Sequence, residues 1–97
     1  MLRFNRKIEY ALIALVNMDD IRMQSEPVTS KSISSQFNIP SEIMGKVLQA
    51  LARYGLLTSV QGVKGGYTLA KPLDQISIYE IIEAIDGSIA LASCVYG

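Results

Sequence analysis

The sequence predicts a mainly α-helical domain carrying one small β-hairpin, on three observations. Residues 40–56 (PSEIMGKVLQALARYGL) place Ile43, Met44, Val47, Leu48 and Leu51 at helical spacing. Residues 56–70 (LLTSVQGVKGGYTLA) then read as two short strands around a glycine-rich turn. A shorter helical segment precedes both, set off by Asn38-Ile39-Pro40, because the residue before a proline avoids helical geometry. Two short helices in tandem, the second amphipathic and followed at once by a hairpin, are the pattern of a winged helix-turn-helix, and so of a DNA-binding module.

Each element has its own local signal. Residues 5–17 form a first helix whose apolar stripe is Ile8, Ala11, Leu12, Leu15 and Val16. Residues 19–28 are polar and broken by Pro27, and read as a loop. Thr29 or Ser30 caps the next helix, which turns Ile33 and Phe37 inward. In the hairpin, residues 57–60 and 67–70 alternate, with Gly62, Gly65 and Gly66 supplying the unusual backbone angles of the turn. Past Pro72, Ser77 and Glu80 make a capping box for a fourth helix that buries Ile78, Ile81, Ile82 and Ile85 and stops at Gly87. Residues 1–87 are thus expected to form the winged domain, with 88–97 a separate short apolar segment.

The chain's 97 residues suit a single core, and no run is apolar enough to cross a bilayer. Arg3, Arg6 and Lys7 precede an apolar stretch, but Glu9, Asn17, Asp19 and Asp20 interrupt it and no small-residue cleavage site follows, so a cytoplasmic protein is expected. The formal net charge of zero conceals a segregation. Residues 1–71 hold all nine basic residues against five acids, about +4, and residues 72–97 hold four acids and no base, about −4. A basic face backed by an acidic helix suits a nucleic-acid partner.

On the second helix of the pair, Ser41, Glu42, Gly45, Lys46, Gln49 and Arg53 fall outside the apolar stripe. Lys46 and Gln49 are one turn apart and can donate to phosphate or base edges, and Glu42 can accept from cytosine N4. Any one of them also suits an ordinary solvated helix face. Gly45 is unexpected mid-helix, where glycine costs about 1 kcal/mol relative to alanine. Lys64 sits near the wing tip, within reach of a minor groove or a phosphate, and Arg3 and Lys7 are placed for phosphate. A phosphate-cradling loop is disfavoured, since such a loop opens a helix and this one returns as a strand.

Four stretches together resemble the bacterial winged-helix repressor family that includes IscR, NsrR and CymR: KIEYALIAL, IPSEIMGKVLQALARYGLL, SVQGVKGGYTLAKP and ISIYEIIEAIDGSIAL. The resemblance covers essentially the whole chain. It implies a homodimeric transcription regulator rather than an enzyme, acting as a repressor on double-stranded DNA at a near-palindromic operator. It places Glu42, Ile43, Gly45 and Lys46 at positions similar to the family's base-reading residues, and Gln61 where many members carry a minor-groove arginine. It also implies, in many members, iron–sulfur or redox sensing through three cysteines after the fourth helix and a fourth ligand from elsewhere. Cys94 matches the first such cysteine, and Glu9 resembles the carboxylate that completes the cluster in the nitric-oxide sensors. Both residues have plainer readings, a small apolar side chain and a solvated glutamate. With one cysteine and no histidine, these residues alone do not complete an iron–sulfur site. The expectation is therefore a chain that continues past Gly97 into the rest of a sensor loop and a dimerisation helix. The alternative is a cluster-free winged-helix module that works through a regulatory protein partner.

A protein-interaction module docking through residues 88–97 is the competing class. Catalysis has the least support: there is no histidine, no nucleotide loop in the right context and no nucleophile beside a base.

Overall fold

The computed structural model describes residues 5–20 and 26–87. Its elements, in order, are α1 (Arg6–Asp19), α2 (Ser30–Phe37), α3 (Ser41–Tyr54), β1 (Leu57–Val60), β2 (Gly66–Leu69), a 3-10 turn (Leu73–Gln75) and α4 (Ile78–Ile82), which runs into a π-helical turn (Glu83–Gly87). The architecture is the expected winged helix-turn-helix. α3 lies at its centre and touches α1, α2, β1 and the π turn.

Local chemistry sets the helix ends. Asn5 caps α1, its side-chain oxygen accepting from the Ile8 N–H at 2.9 Å. Thr29, rather than Ser30, caps α2 by accepting from the Ser32 N–H at 3.0 Å. Ser77 and Glu80 form the reciprocal capping box of α4. Glu80 also receives a hydrogen bond from Lys71 Nζ at 2.8 Å, tying the exit of the wing to α4. That bond, helped by the Ser77 backbone N–H, holds the Glu80 carboxyl below the usual carboxylate range.

Three apolar side chains face the other way from the sequence expectation. Val16 is 61% exposed, and α1 instead buries Ile8, Ala11, Ala14, Leu15 and Met18. Val16 lies two turns and roughly 80° round from Ile8, off the stripe that Ile8, Leu15 and Met18 define. Phe37, at the last position of α2, is 41% exposed. Asn38 takes the left-handed conformation (φ 57°) and swings Ile39 into the core in its place. Ile78, the first residue of α4, is 43% exposed, whereas Ile81 and Ile85 are buried and Ile82 is half-buried. α4 is also shorter than a continuous helix to Gly87, because its last turn widens to π geometry.

The hairpin pairs Leu57 with Leu69, Thr58 with Thr68, Ser59 with Tyr67 and Val60 with Gly66. The second strand therefore begins one residue earlier than its spacing suggested, and the Ala70 N–H still donates to the Leu56 carbonyl at 3.0 Å. Gly62 and Gly66 adopt positive φ, but Gly65 does not. Gly65 is needed for space, since a Cβ there would run into the Val60 carbonyl oxygen. One pairing lies outside any sequence signal. Val28, inside the expected loop, is buried and forms an antiparallel bridge with Tyr67 through two hydrogen bonds of 2.8 Å. The wing is thus anchored to the segment that enters α2.

Candidate nucleic-acid interface

α3 presents its apolar stripe to the core through Met44, Val47, Leu48 and Leu51, all buried. The opposite stripe is polar. Glu42, Lys46, Gln49 and Arg53 recur every three or four residues, all exposed, along about 16 Å of helix at 1.5 Å per residue. Ser41 is exposed at the start, while Ile43 and Gly45 are half-buried. No side chain caps the first turn of α3, because its N-cap is Pro40, so the first N–H groups look outward.

The chain does not itself require glycine at position 45. A Cβ there would meet only Ser30 Oγ, at an ordinary 3.9 Å. Gly45→Ala should therefore raise stability by about 0.5–1 kcal/mol, the helix-interior penalty of glycine. Urea unfolding checks this, and a loss of stability would show that α2 cannot admit the methyl group.

Lys7 of α1 joins this surface. Together with Lys46, Val47, Gln49, Ala50, Arg53 and Ile85 it lines a groove of about 220 Å³ between α1, α3 and the π turn. Three of the candidate contact residues are therefore brought together, and Arg53, which spacing alone treated as one more polar position, joins them. Gln61 and Lys64 stand apart on the exposed tip of the wing, where Gln61 Nε2 donates to Ser59 Oγ at 3.3 Å. Glu9 is exposed on the first turn of α1. Arg3, Cys94 and the segment 88–97 lie outside the described residues. The sequence offers one thiol and no imidazole, a donor set that does not fit a four-ligand iron–sulfur cluster within this chain. No group of three or more His, Cys, Asp or Glu side chains suited to a metal occurs among the described residues. Nor, among those residues, is any helix long and apolar enough to cross a membrane.

A central helix with a polar outer stripe, preceded by a capped short helix and followed by a hairpin wing, defines a winged helix-turn-helix of the transcription-regulator type. The chain belongs to the Rrf2 family, whose sequence model, described as an iron-dependent transcriptional regulator, matches residues 4–97. It is 32% identical over 93 residues to the HTH-type transcriptional regulator IscR of Cronobacter sakazakii, covering 96% of this chain and 57% of that protein. Among solved structures, the global cysteine regulator CymR of B. subtilis superposes with a TM-score of 0.80 at 28% identity, covering 90% of this chain and 67% of that one. IscR of T. potens gives 0.76 at 29% identity, covering 90% and 63%. The chain spans 51% to 62% of the length of the curated relatives it matches.

Proposed function

We propose that this chain is the DNA-reading part of a cytoplasmic transcription regulator, a repressor that binds a near-palindromic operator as a homodimer. Residues 1–87 are the reading unit, and 88–97 begin the segment through which it is controlled. α3 enters the major groove, with Ser41, Glu42, Ile43, Gly45, Lys46 and Gln49 toward the bases. The wing lays Gln61 and Lys64 along the flanking minor groove, and Arg3 and Lys7 meet phosphate. The observation that carries this reading is the exposed stripe of α3, joined by Lys7 in one cation-lined groove.

Binding to DNA selected from a random pool should fall steeply with salt, because the basic residues displace counterions. Lys46→Ala should cost about 1–3 kcal/mol on the selected sequence and less on random DNA. Equal losses on both would reduce Lys46 to a phosphate contact, and salt-independent binding would count against the whole reading.

For control, the first reading is a cluster-free module acting through a protein partner; the single thiol of these 97 residues is consistent with it. The second reading makes Cys94 the first ligand of a cluster completed by residues outside these 97, with Glu9 a further candidate. Anaerobic purification with iron, sulfide and visible-absorption assays separates the two: a colourless, iron-free regulator supports the first, and a brown one the second.

A further inference from the structure

We propose that Lys7 and Arg53 form a two-element clamp on a single phosphate of the DNA backbone, an assignment that rests on the DNA-binding reading above. Arg53 lies seven residues beyond Lys46 on the same stripe of α3, about 10 Å further along the axis. A helix whose first turns read bases has left the groove floor by that distance and lies beside the sugar–phosphate rail. At that point α1 delivers Lys7 into the groove that Arg53 and, at its other end, Lys46 line, a third cation from a second element.

The surroundings suit a phosphate rather than a solvated pair of cations. Val47, Ala50 and Ile85 form the apolar part of the lining, and Val47 and Ile85 are buried. An apolar wall strengthens charge–charge attraction. Among the described residues no carboxylate lines the groove, and Gln49 adds a neutral amide donor. The nearest acid in sequence to Ile85, Asp86, is held by Asn5, whose Nδ2 donates to its Oδ1 at 3.3 Å. Arg53 also stands in the last turn of α3, where a cation favours the helix C-terminus, but that effect gives no reason for Lys7 to converge on it.

The test compares the intact chain with Arg53→Gln, Lys7→Gln and the double variant, all exposed positions, after matched thermal melts. Affinity is measured over a salt series on DNA selected from a random pool and on unselected DNA. Each single substitution should weaken binding about 3- to 10-fold on both DNAs alike, as a phosphate contact does. The salt slope of the double variant should fall by about one, the share of one phosphate. A neutral methylphosphonate walked along the selected site should reproduce that loss at one position, and the double variant should be indifferent to it. A slope change of about two would mean separate phosphates and overturn the clamp. So would unchanged affinities, or inorganic phosphate that saturates the groove at constant ionic strength while the variants bind DNA as the parent does. If the parent chain binds no DNA at low salt, the function proposed above fails and the clamp with it. If the parent binds and the variants match it, the clamp alone fails.

Discussion

Leu48→Ala is expected to destabilise the chain by about 3–4 kcal/mol, the cost of a leucine truncated in a core that collapses only partly. Leu48 has no exposed surface and lies on α3, the helix that touches α1, α2, β1 and the π turn. A cavity there loosens every layer at once instead of one edge. For a domain whose whole stability is about 5–15 kcal/mol, the loss is a large share, and the melting temperature should drop by about 12–32 °C. Urea unfolding should show a lower midpoint with an unchanged slope. A loss below about 1 kcal/mol would mean that the neighbouring helices close over the gap, so that α3 is not the rigid centre described above.

Gly66→Ala should be nearly as damaging, by about 2–4 kcal/mol, for a different reason. Gly66 has φ 155°, which L side chains rarely adopt, and a Cβ would lie 2.8 Å from the Val28 carbonyl oxygen and 3.0 Å from its carbon. Both atoms are backbone, and neither can rotate aside. The Val28–Tyr67 bridge would have to part, releasing two hydrogen bonds of 2.8 Å. Gly62→Ala is the control: φ is again positive, at 110°, but nothing lies within 4 Å of the added carbon. Only strain remains there, about 1 kcal/mol. Hydrogen exchange should show Val28 and Tyr67 losing protection in Gly66→Ala and keeping it in Gly62→Ala. Equal destabilisation by the two substitutions would remove the bridge as the cause.

The fold was legible wherever a period or a cap spoke for it. The apolar stripe of α3 repeats over about two turns, and the capping box at Ser77 fixes the start of α4 to the residue. Phe37 and Ile39 show where such reading stops. Both are apolar and two apart, and only the left-handed turn at Asn38 decides which one enters the core. Val28 was hidden because a single bridging residue has no periodicity. The site divides in the same way. The outer face of α3 follows from its inner face, so Lys46 and Gln49 could be named from spacing. The convergence of Lys7 with Arg53 could not, because it depends on how α1 packs across α3, and nothing local encodes that crossing.

The π turn has a further consequence. Ile85 is a wall of the basic groove, and the next residue, Asp86, accepts the hydrogen bond from the residue that caps α1. The end of the described chain and the first cations of α1 therefore share one mechanical joint. A π turn holds more residues per turn than an α turn, so tightening it would pull Ile85 and Asp86 out of register together. A partner that favours the π or the tightened form of this joint changes the affinity for DNA wherever DNA, too, binds the two forms unequally. By reciprocity, DNA must change the affinity for that partner by the same factor. Such coupling would need no pathway through the core, since Ile85 at the groove and Asp86 at the cap of α1 are adjacent residues.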